Sequence, residues 1–337
     1  MKKIFSQNDN FYKVNLHAHT TESDGKLTPE QLKEVYKSYG YSALAITDHE
    51  FMIDHTELND DDFIIIPGYE YAINLGGPWS DRIKSCHLNI FPKKAHNYKM
   101  VCYNRENLWL QSQFELEHKF QFVGDGDYKK THTIECFNEI IKIANQNEMF
   151  VMLNHPTWSL LSYDVVAGFD GLWGIEVFNT GAMKVGTGAY ETNFYDLLLQ
   201  QGKRLFCTAT DDCHQSMPPE EPCSQMCCGY VMVKARELSH EALIDSLLNG
   251  DFYSSTGPVI RELYIDKNRL YIKCDPCRSM YLKTKYRRRE ERIAKQGECL
   301  TEATFLVCPE DEYVRIEIED ENGKYALTNA IFTDDLF

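Results

Sequence analysis

The chain has no apolar run approaching the roughly 18–20 residues that cross a bilayer. Its first residues, Met1 to Tyr12, are polar where a signal peptide would carry an apolar stretch. These two absences predict a soluble, cytoplasmic protein with no membrane partner. No glycine-rich phosphate loop and no dinucleotide fingerprint occurs, which argues against chemistry built on those cradles. Internal repeats and low-complexity segments are also missing. Positive charge is scarce: 35 Lys and Arg stand against 51 Asp and Glu, a net charge of −16. Long nucleic acid is therefore a poor partner, because it calls for a broad basic face. A small phosphorylated substrate is not excluded, since bound metal cations dominate their local field.

Cysteine, by contrast, is plentiful, with 12 residues. Cys86, Cys136 and Cys207 lie in apolar runs, where a free thiol behaves as a small hydrophobe. Without an export signal no disulfide framework is expected. Cys274 and Cys277 have the spacing of half a zinc knuckle, but no second half follows. Cys223, Cys227 and Cys228 read as reduced bystanders. The one basic run, 283–295, is either a solvated strand or hairpin or a phosphate-steering patch.

The length of 337 residues and 43% hydrophobic content suit one large domain with a small companion. β-like runs at 13–16, 43–47, 63–67, 87–91, 150–154, 172–178 and 205–209 alternate with helical patterns at 29–39, 133–147, 190–201 and 240–249. This alternation predicts βα units, a parallel sheet and, with seven strands, a barrel. Residues 97–128 read as an insertion with a helix near 105–118. After Gly250 short alternating strands at 260–265, 270–274, 280–284, 303–307, 314–319 and 326–332 predict a small antiparallel β-sandwich. Asn322-Gly323 is a tight-turn signal between two of them. The expected division is 1–258 and 259–337.

Nine metal-ligating side chains sit in short motifs, nearly all at the C-terminal ends of β-like runs: His17, His19, Asp24, His49, Glu70, His87, His155, Asp212 and His214. At the top of a barrel such residues point into one pocket. A lone histidine is more often a core or surface residue. Repeated His, Asp and Glu at strand ends are harder to dismiss, because they are poor strand formers and unfavourable to bury unpaired. Metal coordination would satisfy them together. His55, His96, His118, His132 and His240 end no β-like run and read as surface or loop, with His55 and His96 as candidates for the pocket rim. Asp48 and Asp211 could orient an imidazole or serve as cap or turn carboxylates. Glu176 and Asn179 close the run at 172–178. Arg82, Lys184 and Arg204 are either substrate-phosphate binders or solvated charges.

The motifs H-A-H-T, S-D-G, T-D-H, G-Y-E, N-H-P, I-E-V-F-N and D-D-C-H, in this order over residues 15–214, resemble those of the PHP (polymerase and histidinol phosphatase) superfamily. S-T-G-P at 255–258 and the closing Y-A-L-T-N resemble a bacterial phosphoesterase subgroup with a small C-terminal β domain. The resemblance implies an α/β fold, a distorted seven-stranded (β/α) barrel, and two or three divalent ions of zinc, manganese or iron. It implies that His17, His19, Glu70 and Asp212 hold one ion. Glu70 bridges to a second, completed by His87 and His155. Asp24, His49 and His214 hold a third, with Asp24 where some members carry histidine. Glu70, Asp212 and His214 are then the residues expected to carry catalysis, the hydrolysis of a small phosphomonoester or nucleotide-like ester by a metal-bridging hydroxide. A metallohydrolase acting on a non-phosphate bond and a metal-binding regulatory module without turnover are the alternatives.

Overall fold

The structure is a computed structural model of the 337-residue chain and describes residues 1–76, 84–108, 120–188 and 190–337. The fold is α/β, followed by a β-rich C-terminal region. Each expected β-like run in the first two-thirds forms a strand: Phe11–Asn15, Ala43–Ile46, Ile64–Pro67, Ser85–Pro92, Met149–Leu153, Gly174–Asn179 and Phe206–Thr210. Helices Pro29–Ser38, Ile134–Gln146, Thr192–Gln200 and His240–Asn249 follow the apolar periodicity. Thr28 caps the first helix, accepting from the Gln31 amide while the Gln31 side chain returns to the Thr28 amide. The helix expected near 105–118 lies largely outside the described residues; Arg105–Asn107 forms a single 3₁₀ turn.

The strands make two principal sheets in this region. Phe11–Asn15, Ala43–Ile46 and Ile64–Pro67 run parallel in one. Phe206–Thr210, Gly174–Asn179 and Met149–Leu153 run parallel in the other, but Ser85–Pro92 runs antiparallel to both its neighbours, Met149–Leu153 and Tyr69–Asn74. The expectation of a parallel sheet is thus corrected at this one strand. Only residues 75–84 join Tyr69–Asn74 to Ser85–Pro92, too few for the helical crossover that a parallel pair needs. Gly68 makes the bend between Ile64–Pro67 and Tyr69–Asn74. A Cβ there would stand 2.7 Å from the Phe91 ring, so only glycine lets the backbone pass. The ladders do not close into one seven-stranded ring among the described residues. The two sheets meet instead at single bridges, Ala18 to Cys213 and His49 to Glu70.

The first sheet also continues across residue 258. Tyr230–Lys234 pairs with Phe11–Asn15 and with Phe252–Ser255, which pairs with Tyr325–Thr328 and so joins the C-terminal strands. Opposite these lies a four-stranded sheet of Ile260–Asp266, Arg269–Cys277 and Leu300–Leu306, with Lys2–Phe5 on its edge. Leu263, Ile272 and Phe305 of this sheet pack on Leu282, Ile316 and Ile318 of the other. The basic run forms the hairpin of Ser279–Thr284 and Arg289–Ile293. Asn322 and Gly323 turn the hairpin between Tyr313–Glu319 and Tyr325–Thr328, with Gly323 at φ 70°. No helix among the described residues is long and apolar enough to cross a membrane.

Candidate metal centre

Seams between strand ends place the ligands. The His19 amide donates to Cys213 O (3.0 Å) and the Asp212 amide to His17 O (2.9 Å), tying the first and last strand ends together. The Thr47 amide donates to Ala18 O, the Glu70 amide to Asp48 O and the Asn154 amide to His87 O. Glu70 does not close the run at 63–67; it lies near the start of the next strand, Tyr69–Asn74, and His87 lies near the start of Ser85–Pro92. Because Ser85–Pro92 runs antiparallel to its neighbours, its beginning lies level with their ends. His155 and Asp212 have φ of 25° and 53°, unusual backbone for side chains and typical of functional sites. Gly25 allows the turn that carries Asp24, since a Cβ there would fall 2.4 Å from His19 O.

All nine side chains come together in three overlapping groups: His17, His19, Glu70 and Asp212; Glu70, His87 and His155; and His19, Asp24, His49 and His214. Glu70 joins the first two, and His19 joins the first and third. Oε1 of Glu70 faces His87 Nδ1 at 3.0 Å and His155 Nε2 at 3.2 Å. Its Oε2 faces His49 Nδ1 at 3.1 Å and His19 Nε2 at 3.4 Å. His17 Nε2 lies 3.2 Å from His19 Nε2, 3.2 Å from Asp212 Oδ1 and 3.4 Å from Glu70 Oε1. Donors around a tetrahedral ion with bonds of about 2.0–2.2 Å stand roughly 3.3–3.6 Å apart. The first group therefore has nearly the spacing of a coordination shell.

Protonation chemistry gives the same answer. His17 Nδ1 meets Glu176 Oε1 at 2.7 Å, so this nitrogen carries the proton when the ring is neutral. Nε2 then directs a lone pair at two carboxylates and a second imidazole, which a shared cation relieves. Burial would lower these imidazole pKa values, but Asp212, Glu176 and Glu70 outweigh it and hold His17 well above its ordinary value. His19 is pushed up to about 10, against burial, by Asp212 and Glu70. Burial and the His19 charge push His49 down to about 3. Glu70 and Asp212, although buried, are held well below the carboxylate range by the surrounding histidines. Asp24, against its own burial, is lowered by His214, His49 and His19. The donor set fits divalent metal ions of the zinc, manganese or iron kind.

Of the two roles open to Asp48 and Asp211, the structure shows the turn carboxylate. Asp48 orients no imidazole; it accepts from the Thr20 amide, the Thr20 hydroxyl and the Ser23 hydroxyl, fixing the turn before Asp24. Asp211 accepts from Tyr36, Asn15 and Thr180 side chains and the amides of Cys227, Cys228 and Gly229. It ties the 227–229 turn to the first strand. The imidazole-orienting carboxylate is Glu176, which also takes the Thr210 hydroxyl, the His155 amide and the Asn179 amide group. Asn154 donates to Glu70 Oε1 (2.8 Å), and Ser159 meets His155 Nδ1 (3.1 Å). Neither residue was singled out from sequence; each sits one or a few positions from a ligand, the only available signal. Trp158 packs edge-on against His155 and tilts against His87.

Other candidates lie elsewhere. Lys184 donates to Pro222 O, Arg204 engages Asp334 and Asp335, and Arg82 and His118 fall outside the described residues. His55 is buried beside Glu57, outside the three groups. All twelve cysteines are free; Cys274 and Cys277 approach to 3.8 Å between sulfurs, with no third ligand among the described residues.

Residues 15–170 match the family model of the PHP domain. Among solved structures, the chain is similar to a two-domain Bacteroides vulgatus protein described as containing a predicted PHP-like metal-dependent phosphoesterase. The identity is 15% and the TM-score 0.43, over 97% of this chain and 96% of that one. It is also similar to a candidate metal-dependent phosphoesterase of Bifidobacterium adolescentis, with 16% identity, TM-score 0.40, and coverage of 61% and 89%. A third likeness is to an amidohydrolase of Chromobacterium violaceum with bound sulfate and no metal, at 16% identity, TM-score 0.37, and coverage of 61% and 92%. No curated protein matches the chain.

Proposed function

We propose that this chain is a metal-dependent phosphoesterase acting on a small phosphoester. The observation that carries the reading is the overlap of three donor groups through Glu70 and His19 inside a PHP domain. His17, His19, Glu70 and Asp212 would hold one ion, Glu70, His87 and His155 a second, and Asp24, His49 and His214 a third. When bound, such ions polarise a phosphoryl oxygen and acidify a water nucleophile. The chain's own residues set up that chemistry. Glu176 holds the His17 proton on Nδ1 and so keeps Nε2 directed inward. Asn154 and Ser159 fix Glu70 and His155. The Asp24 and His214 side chains are 33% and 30% exposed, against 12% or less for the ligands of the first group, so substrate enters on that edge. The strand-end seams support a seven-stranded barrel, with Ile64–Pro67 and Tyr69–Asn74 acting as one bent strand. The same reading divides the chain into a hydrolase unit, 1–258, and a β unit, 259–337, which contributes no ligand.

Metal-reconstituted protein should release phosphate from a chromogenic aryl phosphate. The activity should vanish on exhaustive chelation and return with manganese, zinc or iron. Activity that survives chelation, or that appears solely on amide or lactone substrates, would contradict the reading.

A further inference from the structure

A cleft of about 410 Å³ opens beside the metal centre, within the usual size range of ligand pockets. It meets the centre at Asn74, which lines the cleft and whose Oδ1 lies 3.3 Å from His87 Nε2. His87 is in turn linked to the exposed edge through His49, whose ring stands 5.8 Å from those of His87 and His214. A phosphoester held at the centre and extending past Asn74 brings its alcohol portion to the cleft.

Among the described residues the lining is polar and its charges are already used. Lys130 is buried and donates to both oxygens of Glu50, at 2.7 and 2.8 Å, and to Ala72 O. Lys129 pairs with Glu106 at 2.9 Å. Recognition of a second phosphate or a carboxylate would call for an unpaired cation, and neither ammonium is one. A nucleobase would call for an aromatic platform; among the described lining residues the one larger apolar side chain is Leu75. Among the described lining residues the groups left unpartnered are neutral. Asn107 is 5% exposed and its amide nitrogen meets no hydrogen-bonding partner, and His132 Nε2 is likewise unpartnered. A buried donor left so is destabilising by about 1–3 kcal/mol. Carboxamide and imidazole groups match hydroxyls, which both donate and accept.

We propose that this cleft is the leaving-group subsite of the metal centre and takes a polyhydroxylated alcohol, making the substrate a phosphoester of a sugar or polyol. The inference rests on the phosphoesterase reading. Two hydrolysis-proof probes test it by calorimetry on metal-loaded protein: a sorbitol phosphonate and benzylphosphonate. Wild type should bind the sorbitol probe at least about tenfold more tightly, the scale of one or two good hydrogen bonds. In Asn107→Leu that advantage should disappear, while benzylphosphonate affinity and metal content stay unchanged. His132→Phe should act in the same direction and serves if the first variant does not fold. Equal binding of both probes by wild type, or a parallel loss of both in the variants, would overturn the subsite. A sorbitol preference without phosphate release from any ester would leave the subsite standing and refute the phosphoesterase reading instead.

Discussion

Glu70→Gln should strip metal from two donor groups at once, whereas Asp24→Asn should empty one. Glu70 presents one oxygen to His87 and His155 and the other to His19 and His49, while Asp24 belongs to the third group alone. The amide keeps the shape of Glu70 but replaces one charged oxygen by an NH₂ group, which cannot ligate and repels the cation. Loss of a ligand at a Lewis-acid centre removes several kcal/mol of transition-state stabilisation, so both variants should lose about a thousandfold in kcat. Bound metal is the distinguishing quantity: at one free-metal concentration, Glu70→Gln should retain less than Asp24→Asn. Equal losses, or a larger loss for Asp24→Asn, would show that Glu70 does not bridge.

The second large effect is on stability. Arg315 is fully buried, its Nε and Nη2 each 2.7 Å from the two carboxylate oxygens of Asp196 and its Nη1 2.6 Å from Glu317. It joins helix Thr192–Gln200 to strand Tyr313–Glu319 of the C-terminal sheet. Arg315→Met preserves much of the volume but strips Asp196 of its guanidinium partner and leaves Glu317 with Lys283 alone. Breaking such a buried pair is destabilising by about 3–5 kcal/mol. Urea denaturation should show a loss of that size. The triple variant Arg315→Met, Asp196→Leu, Glu317→Met should recover most of it, because the stranded charges go with the arginine. Lys283, which also pairs with Glu317 at 2.7 Å, limits that recovery. A loss below about 1 kcal/mol for Arg315→Met would mean that water reaches the carboxylates and screens them.

Much of the centre was legible because ligands interrupt apolar runs where few other roles explain them. His17, His49, His155 and Asp212 follow strands whose core residues are plain in sequence, such as Val151 and Leu153 before His155. Strand direction was not legible. Nothing local in Cys86-His87-Leu88 says that the strand runs against its neighbours; the shortness of the 75–84 connection does, and it becomes informative only once Tyr69–Asn74 is known to be a strand. Partners distant in sequence were hidden for the same reason. Glu176 reaches His17 across 159 positions, and Asp211 reaches Asn15 across 196. A carboxylate beside a ligand, as at Asp48 and Asp211, looks like an imidazole anchor until its hydrogen bonds are seen to go to a turn. Lys2–Phe5, polar at its start, showed no sign of its place on the C-terminal sheet, where Phe5 packs edge-on against Phe11 and next to Tyr253.

Elemental analysis of protein purified without chelator tests the metal centre most directly. Nine ligands in three overlapping groups predict two or three transition-metal ions per chain. Less than one ion per chain, even after reconstitution with manganese, iron and zinc, would contradict it.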